Sequence, residues 1–251
     1  MLDASTIASP GMPPVKPLQA SRLALSGRPV VALAGNPNTG KSTVFNALTG
    51  LRQHTGNWPG KTVARHDGLC VSAGRELVLV DLPGTYSLLA NSAEEVIARD
   101  FICFARPDAT IVVVDATCLR RNLNLVLQVA EITPRVVVCL NLIDEARRKG
   151  IEIDAPALAR DLGVPVVPAV ARDGLGLDQL VATVLAVVDG QVVPQPVLPR
   201  YAHDVETRAA RIAAALEPML DGRLNRRWVA LRLIEGDPTI IQSIAEQRID
   251  G

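Results

Sequence analysis

The chain has 251 residues, 48% of them hydrophobic and 21% charged, which is apolar enough to fold as one full domain plus a smaller one and excludes disordered, collagen-like or mucin-like character. Lys plus Arg and Asp plus Glu each total 26, so no net field draws the chain as a whole onto nucleic acid or an anionic membrane. The longest apolar runs, Ile111 to Val114 and Val136 to Leu140, fall far short of the ~20 residues that cross a bilayer, and a soluble chain is expected.

In chain order, residues 1–28 are rich in Pro, Ser and Ala, carry Asp3 near the start and lack a continuous apolar stretch, which predicts a flexible lead-in and not a secretory leader. Apolar β-branched runs then alternate with segments of helical period. Strands are expected at Val30–Ala34, Val63–Val71, Glu76–Val80, Thr110–Val114, Val136–Leu140 and Val164–Val167, and helices at about 41–49, 92–104, 120–131, 155–162 and 176–188. Several strands read as continuous apolar runs, as a sheet covered on both faces requires, so the class is α/β with a mostly parallel sheet of six or seven strands. The linker Ser72-Ala73-Gly74-Arg75 is too short for a crossover and predicts an antiparallel hairpin. Pro194, Pro196 and Pro199 break the pattern, which divides the chain into a domain at 29–190, a proline-rich linker at 191–200 and an all-helical part at 201–251. In that last part Val205, Ala209, Ile212, Leu216 and Met219 recur at helical spacing, as do Leu224, Trp228, Leu231 and Ile234, and Asp237-Pro238 reads as a helix start.

Gly35-Asn36-Pro37-Asn38-Thr39-Gly40-Lys41-Ser42 fits G-x-x-x-x-G-K-[ST], follows an apolar strand and opens a helical segment that continues with Thr43. Such a loop turns backbone N–H groups toward a polyphosphate at a helix N-terminus, with Lys41 reaching the β- and γ-phosphates and the Ser42 hydroxyl on Mg²⁺. An ordinary Gly-rich turn is the alternative, but lysine occurs only at 16, 41, 61 and 149, and one of these falls between Gly40 and Ser42. Asp81-Leu82-Pro83-Gly84 closes an expected strand. Asp81 is placed to hold the Mg²⁺ shell and Gly84 to let an N–H approach a γ-phosphate, although this tetrapeptide alone is often just a turn. Asn141-Leu142-Ile143-Asp144 follows the fifth strand. Asp144 can accept from both N1–H and N2–H₂ of guanine, a donor pair adenine lacks, though N-x-x-D alone is a weak signal.

Together these motifs resemble those of translation-factor-type small GTPases. Gly56-Asn57-Trp58-Pro59-Gly60-Lys61-Thr62-Val63, Asp81 to Leu88 and Arg227 to Asp237 resemble more closely the cytosolic part of the ferrous iron transport protein B family, over residues 29 to about 240. The resemblance implies a P-loop GTPase fold followed by a helical domain that restrains nucleotide release. It implies GTP or GDP with Mg²⁺ as ligands, Thr62 as the switch I threonine on Mg²⁺ and the γ-phosphate, and Asn38 as a ligand of K⁺. A monovalent cation there would neutralise charge between the β- and γ-phosphates, the work an arginine finger does elsewhere. Lys41, Thr62, Asn38 and Gly84 are then the catalytic candidates.

The chain departs from the general GTPase pattern in three places. Thr85 stands where Ras-like enzymes place a water-orienting glutamine, so intrinsic hydrolysis is expected to be slow. Leu142 replaces the lysine that packs on the base. Val170-Ala171 replaces Ser-Ala, leaving the Ala171 N–H for guanine O6. The partners implied are guanine nucleotide and a membrane domain of a longer protein at the cytoplasmic face of the bacterial inner membrane, with self-association left open and nucleic acid excluded. Two alternatives stand beside this GTPase reading: a GTP-sensing switch with incidental hydrolysis, and a ribosome-assembly GTPase, against which the lack of a basic segment after residue 200 counts.

Trp58 lies among Gly56, Asn57, Pro59 and Gly60, a loop composition that predicts a partly exposed switch residue, whereas Trp228 on an apolar stripe predicts a core position. Cys70, Cys103, Cys118 and Cys139 form no C-x-x-C pair, and His54, His66 and His203 share no ligand spacing with them.

Overall fold

The computed structural model describes residues 27–50, 53–59, 61–89, 91–220 and 224–249. The expected lead-in at 1–28 therefore lies almost wholly outside the described residues, as do Gly60 and the final Asp250 and Gly251.

Seven strands form one sheet: β1 (Val30–Gly35), β2 (Gln53–Asn57), β3 (Ala64–Ser72), β4 (Arg75–Asp81), β5 (Ala109–Asp115), β6 (Val136–Asn141) and β7 (Val166–Pro168), in the spatial order β2-β3-β4-β1-β5-β6-β7. The strands from β4 to β7 pair in parallel, whereas β2, β3 and β4 form an antiparallel meander whose second turn closes with Ser72 opposite Arg75. The short linker thus makes the hairpin its length requires. The helices are α1 (Lys41–Thr49), α2 (Ala93–Asp100), α3 (Leu119–Ile132), α4 (Ile143–Arg148), α5 (Ala155–Leu162), α6 (Leu177–Val188), α7 (His203–Leu220), α8 (Arg226–Glu235) and α9 (Pro238–Ile249).

The continuous apolar runs have a physical reason. Along β1, Val30, Ala32 and Ala34 enter one apolar cluster and Val31 and Leu33 the other, and along β5 Val112 and Val114 separate in the same way from Ile111 and Val113. Successive side chains point to opposite faces and helices cover both, so both faces are predominantly apolar, with Thr110 of β5 a buried polar exception. One cluster includes α1 and α6 through Val44, Phe45, Leu180 and Val184. The other includes α2, α3 and α5 and extends to Trp228, Val229 and Ile240 of the helical tail, while Ala209, Ala230 and Leu231 form a small core between α7 and α8.

Three elements differ from expectation. β2 reads Gln-His-Thr-Gly-Asn, is exposed along nearly its whole length and occupies the sheet edge, so it carries no apolar period. The short helix α4 went unanticipated. The helix expected at 92–104 is α-helical only to Asp100 and continues as a π-helical turn over Phe101–Ala105, ending at Arg106 in the left-handed region. Cys70, Cys103 and Cys139 are buried, with burial pushing the Cys139 thiol up to about 12, so they pack as small apolar groups.

Candidate nucleotide-binding site

The site lies at the C-terminal ends of the parallel strands, where β1, β4 and β6 deliver their loops. A Cβ added to Gly35 would come within 2.8 Å of the Val113 carbonyl on β5, so glycine alone lets the loop leave the sheet here. Asn38 (φ 67°) and Gly40 (φ 80°) are left-handed, the backbone chemistry of an anion-binding nest, and Thr39 Oγ1 donates to the Asn36 carbonyl at 2.9 Å. α1 then starts at Lys41 with no acidic residue in its first turn, so its positive end is unopposed. Ser42 and Thr43 are exposed on that turn.

Lys41 is nearly buried, and its Nζ donates to Asp81 Oδ1. The β1–β4 register sets Leu33 opposite Asp81 and so brings the end of β4 beside the phosphate loop. Burial raises the Asp81 carboxyl above the ordinary carboxylate range against the opposing pull of Lys41 and His66. The chain beyond Asp81 is tied to the loop by Leu82 N–H to the Leu33 carbonyl (3.0 Å) and Thr85 N–H to the Gly35 carbonyl (3.2 Å). A Cβ on Gly84 would sit 3.6 Å from the Pro37 backbone. Thr85 is buried; its hydroxyl donates to the Ser87 carbonyl (2.7 Å) and accepts from the Ser87 N–H (3.4 Å), so it is engaged in a local turn.

At the other end, Asn141 closes β6 and joins two loops. Its Nδ2 donates to the Thr39 carbonyl (3.0 Å) and its Oδ1 accepts from the Ala171 N–H (3.0 Å). A Cβ on Gly40 would collide with Asn141 Nδ2, so Gly40 is required for space as well as for its positive φ. The Ala171 N–H, the group expected at guanine O6, donates to Asn141 Oδ1 in this structure. Val170 beside it is buried and bridges to Leu175. Leu142 is left-handed (φ 62°) and turns the chain into α4, whose first turn carries Asp144.

The two oxygens of Asp144 differ. Oδ2 accepts from Arg148 (3.2 Å) and Arg172 (3.4 Å), whereas Oδ1 is buried without a partner. An orphaned carboxylate oxygen is costly, and it leaves an acceptor open to a further donor. The N1–H and N2–H₂ of guanine fit it, and the nest and Lys41 fit a polyphosphate. Arg148 and Arg172 escaped the sequence reading, although the i,i+4 spacing of Asp144 and Arg148 is a signal that could have found the first.

The family model for ferrous iron transport protein B matches residues 29–184, and that for the FeoB cytosolic helical domain matches 201–250. The chain belongs to the ferrous iron transport protein B family. The Fe(2+) transporter FeoB of Salmonella choleraesuis is 41% identical over 82% of this chain and 27% of its own length, so the chain spans about a quarter of that relative. The cytosolic domain of the T. maritima FeoB iron transporter in a GDP form superposes with a TM-score of 0.79 at 36% identity, covering 88% of this chain and 85% of that one. Its GMPPNP form gives 0.77 at 34% identity, covering 87% and 86%.

Within this FeoB-family chain the remaining candidates sit apart from the bonded core of the site. Thr62 and Asn38 are exposed. Trp58 is corrected: it is 1% exposed, its ring meets Phe101 edge-on at 5.6 Å and 74°, and the Arg65 guanidinium lies 5.1 Å from its centroid. Glycine and proline neighbours describe its backbone well enough, but β2 has no other residue to anchor it, and the indole takes that place. Trp228 is buried as expected. The helical tail meets α2 through Arg99, fully buried, which donates to Asp237 (3.2 Å) and Thr239 (2.7 Å) as well as to neighbouring Asp100. No described helix is long and apolar enough to cross a membrane.

Proposed function

We propose that this chain binds GTP and hydrolyses it to GDP and phosphate, and that within a longer protein the nucleotide state of its switch segments is coupled to Fe(II) uptake by a membrane domain at the cytoplasmic face of the bacterial inner membrane. The observation that carries the nucleotide reading is the Asn141 bridge, which ties the phosphate loop at Thr39 to the loop at Ala171 beside the unpartnered Asp144 oxygen. Guanine at Asp144 and phosphates at Lys41 are then served by one framework. The GDP and GMPPNP forms of the T. maritima relative support the same reading.

In the working complex Lys41 exchanges Asp81 for phosphate oxygens, and the Gly84 N–H faces the γ-phosphate. Ser42, Thr62 and Asp81 supply hard oxygen donors suited to Mg²⁺, which when bound neutralises charge on the β- and γ-phosphates. Asn38 offers an amide oxygen for K⁺. The proposed organisation is a GTP-binding domain at 29–190, a linker at 191–200 and a helical domain at 201–251 that restrains nucleotide release, with Arg99 as its described contact to α2.

A second reading, a GTP-sensing switch with incidental hydrolysis, is favoured by the engagement of the Thr85 hydroxyl with Ser87, which leaves that side chain unable to orient water. Family membership removes the ribosome-assembly alternative. The deciding experiment is base preference. Asp144→Asn should shift selectivity from GTP toward XTP, whose 2-oxo group would face the new amide. A variant that retains full preference for GTP would refute Asp144 as the base reader.

A further inference from the structure

β2 buries almost nothing of its own: four of its five positions are exposed and the strand pairs on one side only. Trp58 immediately follows it and is essentially inaccessible. Its indole shares an apolar cluster with Leu82 and Leu88 of the segment after β4 and contacts Phe101, the first residue of the π-helical turn that continues α2. The edge hairpin is thus pinned to the element that the Asp81–Gly84 loop leads into. π-Helical turns inside helices often mark functional positions, and this one supplies the ring on which Trp58 rests.

The backbone of Trp58 is held as firmly as its side chain. Its N–H donates to the Val63 carbonyl (2.9 Å), and its carbonyl accepts from the Lys61 N–H (3.0 Å). Thr62 lies between those two residues, so both of its chain neighbours are hydrogen-bonded to the residue that carries the buried indole. Thr62 itself is exposed.

We propose that Trp58 is a positioning residue for hydrolysis: through its seat on Phe101 and its two backbone bonds it sets where Thr62 stands relative to the phosphate loop. This rests on the reading of Thr62 as a participant in hydrolysis. Trp58 touches neither nucleotide nor reacting atoms, and its effect runs only through Thr62. Replacing the indole leaves the groups that hold base and phosphates, Asp144, Asn141 and Lys41, with all their own contacts.

The test is a double-mutant cycle on the full 251-residue chain, reading steady-state GTP turnover together with GDP affinity by calorimetry. Trp58→Leu is expected to lower kcat about tenfold while GDP affinity stays within about threefold, and Trp58→Phe, which keeps a ring against Phe101, to retain kcat within about threefold. Combined with Thr62→Ala, Trp58→Leu should cause no further loss, because the two residues serve one interaction. Phe101→Leu, which leaves the loop sequence intact, should reproduce the kcat loss if Trp58→Leu does not fold. Multiplying losses in the double variant, an equal fall in GDP affinity and kcat, or wild-type turnover in Trp58→Leu would each overturn the proposal. Slow Thr62→Ala beside fast Trp58→Leu would sink this proposal alone. Wild-type turnover in Thr62→Ala would remove the Thr62 reading, and this one with it.

Discussion

The two ends of the nucleotide site are built differently. At the base end Asn141, Ala171 and Thr39 bond to one another across loops, and one Asp144 oxygen is held by two arginines while the other awaits a donor. At the proposed γ-phosphate end Asn38, Thr62 and Gly84 are exposed, and Lys41 is paired with Asp81, a pair that must part if both are to reach the ligands proposed for them. On the proposed assignment of the two ends, affinity is preorganised and catalysis is assembled. A site that must bind tightly gains from groups already locked in place, whereas one that must respond to a single phosphate needs groups still free to move.

Predictions follow the same division. Lys41→Ala should have the largest effect, weakening GTP binding about a hundredfold or more, since charge-assisted bonds to phosphate contribute about 1.5–3 kcal/mol each. It also strips Asp81 of its cation, so thermal unfolding should show some destabilisation beside the calorimetric loss; unchanged affinity would contradict the phosphate-loop reading. Asn141→Ala comes next. It leaves the Thr39 carbonyl and the Ala171 N–H without their partner, at about 1–3 kcal/mol for each group left unsatisfied, and should lower both Tm and affinity for GDP. If Tm and affinity stayed at wild-type values, the base end would not be the rigid framework described.

Thr62→Ala tests the other end. Affinity should stay within about threefold while turnover falls about tenfold, because the hydroxyl is exposed and serves only the reacting state. A parallel fall in affinity would erase the distinction between the two ends. The smallest effect concerns the monovalent ion. With no arginine between Gly35 and Gly50, turnover should be about threefold faster in potassium chloride than in sodium chloride at equal ionic strength, and Asn38→Ala should shrink that ratio without abolishing binding. Equal wild-type rates in the two salts would move the missing positive charge to a partner protein.

Much of this was legible in the residues themselves. The α/β class, the hairpin at Ser72 to Arg75, α1 and α5 to the residue, and the phosphate loop all rest on local chemistry: period, turn length, helix boundaries and the glycine spacing of one loop. Such features record how a segment relates to its own axis and immediate neighbours, and that information is carried within a dozen residues. What tertiary structure decided has no such record. Asn141 and Thr39 are 102 residues apart, and neither has a flanking pattern that announces the bond between them. The Ala171 N–H likewise donates to Asn141, 30 positions earlier in the chain. Edge strand β2 is polar because it faces solvent, and only pairing with β3 makes it a strand. The glycines and proline around Trp58 specify a turn and are silent about what lies beneath. Its burial was settled by Phe101, 43 positions further along, because an indole is worth most where a ring from another element can cover it.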